Sequence, residues 1–545
     1  MDTPFKAILH TNTVPSDGDC QRIRELLAGP RREAAKLTEE IERLHALIKE
    51  LTEKRDNLNE VIDPHLALIS PIRRLPHDVV AEIFAACLPP DRNAVIQGTE
   101  SPLLLCHICQ AWRTLALSTP RLWASLHIVG PPTPPKLHQI NEAVAWWLAK
   151  SGGLPLSISI VQSSWASWDT DFSILVQTLV QYASRWQRIR FRLNAYHSLQ
   201  PLAALRPIDV PFLETVVFDG FPPSGAENST AFLGTNSLRG LSLIRATNSF
   251  PVQTIPWDSL RRLFLSPAAA CHTVAEGLEL LRRCPNLESC ALAFMPDSND
   301  SPSPVGSAVA PASPCRMPNL RQLSVFDRQR PGGTAGFFGL LELPNLRGLE
   351  YATYSAEALP ILPLLNSPQH IQRFGLSIHG LTSETLIACI RLLPALRELF
   401  LCADPFSFHQ SPDDPFHPDF TFWTAMTPTA NTIHATLCPQ LEVMEFTQFT
   451  GFPDQLLLEF IRARTECHFP EIAQLSKVHG SFQRPIMEDI LPALQQVIAD
   501  GLDLSLRYSP FSVYYSASQE NTAYTDGELL SDGWGDTSGG DSSRR

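Results

Sequence analysis

The sequence predicts a mixed α/β chain built largely on a curved parallel sheet. Three observations carry that prediction: a charged heptad helix near the N-terminus, three short apolar helices after it, and a strand phrase that then occurs nine times. At 545 residues the chain exceeds one ordinary domain, so several domains or a repeat architecture is expected. A hydrophobic fraction of 44% supplies a large core. Charged residues make up only 18%, and the net charge is −13, which argues against nucleic acid or an anionic membrane as the main partner.

Residues 1–30 carry Pro4, Pro15, Gly18, Gly29 and Pro30 and read as loop, with one short helix around Cys20–Leu27. A helix is expected over 31–66. Leu37, Ile41, Leu44, Ile48, Leu51, Leu58 and Ile62 step by four and three, and Arg55 fills the one missing place. That is an a/d seam of about four heptads. Two readings stay open for it: a homodimer through residues 37–62, or an amphipathic helix docked on its own protein.

Segment 70–126 holds three short apolar helices. The first opens at Pro76 with Asp78 in its positive end, carries the stripe Val79, Val80, Ile83, Phe84, Cys87 and Leu88, and stops at Pro89-Pro90. After a polar loop, Ser101-Pro102 opens a helix expected to run to Leu117 and to bury Leu104, Leu105, Ile108, Trp112 and Leu115. Thr119-Pro120 opens the third. So little core in about 55 residues implies a partner.

From 127 to 510 the pattern alternates strand and helix. The recurring phrase begins at Pro211, Ser237, Ser259, Pro285, Pro318, Pro344, His370, Pro394 and Pro439; at Pro318, for example, it reads PNLRQLSV. Its first apolar positions are Leu213, Leu238, Leu260, Leu287, Leu320, Leu346, Ile371, Leu396 and Leu441. Most steps are about 22 to 27 residues, a leucine-rich-repeat period. Two longer steps hold insertions, a Pro/Ser loop at 296–314 and a Pro-, Phe- and His-rich stretch at about 403–435. The reading is an irregular solenoid closed by a final helix and strand, with a disordered acidic tail over 511–545. In each strand the leucines face the core and the residues between them face the concave side. There Arg262, Phe264, Gln322, Glu350, Arg373, Glu398 and Phe400 are the candidate target-binding residues, with Phe264 and Phe400 as exposed anchors.

Residues 70–126 resemble the F-box. Leu75-Pro76, Asp78, Val79-Val80, Ile83-Phe84, Leu88, Ile108-Cys109, Trp112-Arg113, Leu115-Ala116, Pro120 and Leu122-Trp123 carry the match. The whole chain is similar to the F-box proteins with leucine-rich repeats that abound in mushroom-forming fungi. The resemblance implies a non-catalytic substrate receptor of an SCF-type ubiquitin ligase. The box would dock on a Skp-type adaptor and through it a cullin, and the repeats would hold a protein target. Leu75, Pro76, Val79, Val80, Ile83, Phe84, Cys109, Trp112, Leu122 and Trp123 would make or support the adaptor interface. The loop Pro89–Ser101 is longer than in the common pattern. A scaffolding protein outside any ligase is the rival reading.

Other signals weigh less. Cys106 and Cys109 form a CxxC without a second pair, in an apolar helix beside Trp112. His409, Asp413, Asp414, His417 and Asp419 crowd a proline-rich insertion. Neither supplies four converging ligands, so no metal and no cofactor is expected. P-loop, GxGxxG, GxSxG and HExxH patterns are absent, so no enzyme activity is expected. The twelve cysteines form no compact disulfide framework, and the start lacks a secretory pattern. Without a long apolar run either, a reduced protein of cytoplasm or nucleus is expected.

Overall fold

A computed structural model describes residues 4–6, 9, 11–130, 134–162, 170–193, 196–219, 230–244, 255–265, 273–295, 313–327, 334–353, 359–365, 370–377, 381–402, 420–429, 433–449, 453–466, 470–482 and 484–508. The class is mixed α/β, with a long N-terminal helix and a parallel sheet of 14 strands. Two compact units divide the chain, Met1–Val80 and Ala81–Arg545. Among the described residues no helix is long and apolar enough to cross a membrane. The expected acidic tail and the His/Asp-rich part of the second insertion lie outside the described residues.

The first unit is mainly helix α1, Asp17–Leu68, 52 residues long. It starts well before the expected Arg31. Ser16 caps it by accepting from the Asp19 amide at 3.2 Å, and Asp17 and Asp19 sit at the positive end. Pro30, read as loop, lies inside the helix. A proline removes one backbone bond, and the good helix formers on both sides carry the helix across that gap. Every seam residue from Leu37 to Ile62 is exposed. Arg55 pairs with its neighbour Asp56 at 2.6 Å. Helix α2, His77–Ala86, contains the boundary between the units.

In the second unit the expected helix after Ser101 is two helices, α3 (Leu103–Ile108) and α4 (Gln110–Leu117). Cys109 between them is extended, with φ −159° and ψ 170°. Its Sγ accepts from the Trp112 amide at 3.5 Å, and the Arg113 Nε donates to the Cys106 carbonyl at 2.7 Å. Side chain–backbone bonds on both sides thus satisfy helix ends that a continuous helix would not have. The break changes the phase of α3. Leu105 and Cys106 are buried, whereas Leu104 and Ile108, expected inside, are exposed.

The strands are β1 Ser125–Gly130, β2 Leu156–Gln162, β3 Trp186–Arg192, β4 Thr215–Asp219, β5 Gly240–Ile244, β6 Arg262–Leu265, β7 Ser289–Phe294 and β8 Cys315–Arg316. They continue as β9 Gln322–Asp327, β10 Leu341–Glu342, β11 Gly348–Thr353, β12 Arg373–Ser377, β13 Glu398–Cys402, β14 Val443–Phe449, β15 Lys477–Phe482 and β16 Asp503–Tyr508. β8 and β10 pair separately; the other fourteen form one sheet in chain order. All nine first-apolar positions, Leu213 through Leu441, are buried. Helices cover that face. Phe337 lies 5.0 Å from Phe294 of β7 and Trp423 lies 6.1 Å from Phe446 of β14, while Trp147 of the helix Pro134–Lys150 lies 4.8 Å from Trp123 in the turn that leads into β1. Trp423 belongs to a helix, Phe420–Met426, inside the stretch read as an insertion. That stretch therefore contributes core as well as loop.

The loop Pro89–Ser101 does more than connect. Val95 bridges to His127, and the Ala94 carbonyl accepts from the His127 amide at 2.7 Å. The loop thereby covers the first edge of the sheet, which would otherwise offer unpaired backbone groups. Near the other end Arg464, buried in the helix Asp454–Thr465, donates to the carbonyls of Met426, Leu437 and Cys438 at 2.9, 2.6 and 3.0 Å. Burial draws its guanidinium down to about 10, still charged at neutral pH.

Burial also pushes the thiols of Cys284, Cys389 and Cys438 up to about 12. At pH 8 their thiolate fraction is on the order of 1 in 10,000, so alkylation of the native protein is expected to spare them. Cys87 and Cys109 are exposed and should react. Mass mapping after brief iodoacetamide treatment checks this; equal labelling of both sets would contradict the packing described.

Candidate interaction surfaces

The ten residues expected at an adaptor interface separate by exposure. Leu75, Pro76, Val79, Ile83 and Cys109 are exposed, and Trp112 is half-buried. Val80, Phe84, Leu122 and Trp123 are buried. The split follows from geometry. On α2, Val79 and Ile83 lie one turn apart on one stripe and Val80 and Phe84 on the next. Phe84 packs on Trp112 at 4.8 Å. Trp123 donates from Nε1 to the Ala116 carbonyl at 2.8 Å and is walled by Trp146 and Trp147. These buried residues hold the short helices together. Exposed large apolar side chains in this segment include Leu75 (37% exposed), Val79 (41%), Ile83 (39%), Ile96 (38%), Leu104 (39%) and Ile108 (56%). Leu104 and Ile108 were missed as surface because the break at Cys109 has no sequence signature.

The second surface is the sheet face opposite the helices. Strand alternation and register place all seven candidate target-binding residues on it, in two rows. Arg262, Gln322, Arg373 and Glu398 belong to one row and Phe264, Glu350 and Phe400 to the next. Four of them meet. Arg373 contacts Glu350 at 3.4 Å and Glu398 at 3.7 Å, and its guanidinium lies 4.4 Å from the Phe400 ring centre. Gly375 makes room for this cluster, since a Cβ there would lie 2.8 Å from the Glu350 Cγ. Burial pushes the Glu350 carboxyl above the usual range, against the pull of Arg373 and of the Ser324 hydroxyl, which donates to it at 2.8 Å.

Phe264 is not the exposed anchor expected. It is 5% exposed and packs with Ala291, Ala293, Phe326 and Ala352. Small residues on β7 and β11 leave space that two phenyl rings fill, 6.4 Å apart. Phe400 is half-buried under Arg373. Arg262 donates to the Thr215 hydroxyl at 3.3 Å, and Gln322 accepts from Ser289 at 3.3 Å.

The register also brings together residues not singled out in the sequence. A cleft of about 210 Å³ lies between the loop Pro89–Ser101 and the open face of β1–β4. Arg92, Asn93, Ser157, Ser159, Arg188 and Arg190 are among its walls. Asn93 donates to Ser159 Oγ at 3.0 Å, which in turn lies 2.8 Å from Nδ1 of His127. The alternating basic strand Arg188–Arg192 was the available signal. Its neighbours came from strands and a loop distant in sequence.

A scan against protein-family models and a search of curated proteins returned no match.

Proposed function

We propose that this chain is the substrate receptor of an SCF-type cullin-RING ubiquitin ligase. Residues 70–126 are read as an F-box that docks on a Skp-type adaptor, and 127–510 as an irregular leucine-rich-repeat solenoid that holds a protein target. The protein is then a non-catalytic, intracellular adaptor. The observation that carries the reading is the exposure of Val79, Ile83, Leu104 and Ile108 on short helices whose remaining apolar side chains form the local core. Large apolar side chains left exposed on successive short helices are what a partner surface needs. The parallel strands behind them hold side chains at fixed spacing, which suits recognition without prior ordering. The test is co-expression with a Skp-type adaptor and a cullin. Both should co-purify with the full chain; recovery of the folded chain alone would refute the assignment.

The exposed seam of α1 supports a scaffolding role beside or instead of the ligase role. Isoleucine fills the a positions at Ile41, Ile48 and Ile62, and leucine the d positions at Leu37, Leu44, Leu51 and Leu58. That distribution favours a parallel two-stranded coil, with Arg55 at an a position weakening it. Sedimentation of the full chain is expected to show a concentration-dependent dimer. Leu44→Asp with Leu51→Asp should leave only monomer. A wild-type monomer at high concentration would exclude the coil.

A further inference from the structure

We infer that β16, the last strand of the large sheet, pairs antiparallel with β16 of a second copy of this chain, about a two-fold axis through Ser505. The loop Pro89–Ser101 covers the first edge of the sheet, at β1. At the other edge β16 pairs only with β15 among the described residues. The Asp503 amide donates to the Ser476 carbonyl at 2.9 Å, so Asp503, Ser505 and Arg507 turn their backbone groups toward β15. Leu504 and Leu506, which alternate with them, turn theirs outward. Such an edge is a template for another strand. The side chains there are those of an unfinished core. Leu504 and Leu506 are half-buried, whereas Val478 and Phe482 on β15 are buried. Leu491 and Ile498, two turns apart on the last helix, Leu491–Ala499, are 47% and 39% exposed.

The strand's own sequence selects a second copy as the occupant. Residues 503–507 read Asp-Leu-Ser-Leu-Arg, which complements itself when reversed. With Ser505 opposite Ser505 of the second copy, Asp503 stands opposite Arg507 and Leu504 opposite Leu506, on both sides of the axis. Arg507 is exposed and forms no ion pair among the described residues. Asp503 meets His479 through Oδ2 at 3.1 Å, which leaves Oδ1 for another cation. Opposite charges and apolar pairs directly across an antiparallel ladder are both favourable. The backbone agrees with the side chains. This register makes Leu504 and Leu506 the hydrogen-bonded pair, through the groups that point outward, and Ser505 the pair without bonds, because its groups serve β15. A slip of one residue would set Leu504 against Ser505, and a slip of two would unpair Asp503 and Arg507. Six residues from each chain make a contact smaller than a stable dimer needs, so the pairing is transient. It is independent of the receptor reading and of the α1 seam.

A disulfide trap reads a contact of this kind. The background is the full chain with Leu44→Asp and Leu51→Asp, so that α1 contributes nothing. There Ser505→Cys should form a covalent dimer under mild oxidation. Opposed residues without backbone bonds hold their Cα atoms about 4.5 Å apart, within disulfide reach. Asp503→Cys should not cross-link, because its counterpart would lie about 13 Å away along the strand. Cys87 and Cys109 are exposed, so mass mapping should place the bridge between the two positions 505. Adding Arg507→Asp should slow cross-linking about tenfold, since two attractive cross-strand pairs become repulsive. Adding Asp503→Arg to that variant should restore the rate. Leu506→Pro removes an N–H that β15 does not use, so it should abolish cross-linking without lowering the melting temperature. No covalent dimer from Ser505→Cys, an equal yield from Asp503→Cys, or an unchanged rate in either Arg507→Asp or Leu506→Pro would overturn the pairing. Cross-linking that appears only after residues 511–545 are deleted would assign the edge to the chain's own tail and overturn it equally.

Discussion

Replacing Asp454 with alanine is expected to destabilise the C-terminal strands by about 3–5 kcal/mol, the usual cost of stranding one partner of a buried ion pair. Asp454 opens the helix Asp454–Thr465 and is 1% exposed. Its carboxylate accepts from Arg484 at 2.6 and 3.3 Å, from the Met487 and Glu488 amides at 3.0 and 2.9 Å, and from the Tyr508 hydroxyl at 2.9 Å. The Arg484 guanidinium lies 4.5 Å from the Phe482 ring centre, and Phe482 stacks on Tyr508 at 4.7 Å. One carboxylate thus ties β15 and β16 to the helix before them. Alanine would take the carboxylate away from a buried guanidinium, which also donates to the Pro485 carbonyl at 3.0 Å, and from the Met487 and Glu488 amides.

Burial alone would raise the Asp454 pKa, but Arg484, the two amides and Tyr508 together hold it below the usual carboxylate value. A depressed folded-state pKa stabilises the fold fully above the unfolded value near ~3.9, and the contribution is lost as pH falls through the folded value. Wild type should therefore lose this stability only below about pH 4, and Asp454→Ala should lack that part of the acid slope. Urea denaturation at neutral and acid pH, with hydrogen exchange followed over residues 477–508, measures both. A loss under about 1 kcal/mol at neutral pH would show that the network is dispensable.

Ile83→Asp combined with Ile108→Asp is expected to abolish capture of a Skp-type adaptor while leaving the chain folded. Each side chain is exposed in this structure, so a carboxylate at either place stays solvated when the protein is alone. In a docked complex the same carboxylate would be buried without a partner, at a cost of several kcal/mol for each. Two such groups correspond to a loss of at least about a thousandfold in affinity. The contrast with the core is the control. Phe84→Ala should lower the melting temperature, because Phe84 is fully buried against Trp112. An adaptor pull-down with thermal melts of each variant distinguishes the two. Normal capture by the folded double mutant would refute docking through this surface.

Much of the architecture was legible in the sequence because it rests on local periodicity. Alternation marks which side of a strand is apolar, so the nine positions from Leu213 to Leu441 were recognisable as core, and all are buried. The four-and-three spacing from Leu37 to Ile62 marked a helix in the same way. Its start was misplaced because Pro30 and Gly29 read locally as a stop, while the Ser16 cap and a long run of helix formers outweigh one missing bond.

The surfaces were less legible, because exposure belongs to neighbours rather than to residue type. Leu104 and Ile108 have the sequence character of core, and the break at Cys109 leaves them in water. Phe264 stands in a strand position that faces away from the leucines, and alanines on strands some 30 to 90 residues away let it lie buried against Phe326. Sequence alone determined the α/β class, the long helix, and the face of each repeated strand that enters the core. The tertiary structure alone decided that Arg92, Arg188 and Arg190 line one cleft, and that the loop Pro89–Ser101 closes the sheet edge at His127. Those contacts depend on the register of three parallel strands and on a loop that returns to them, and register across such separations leaves no periodic trace in the chain.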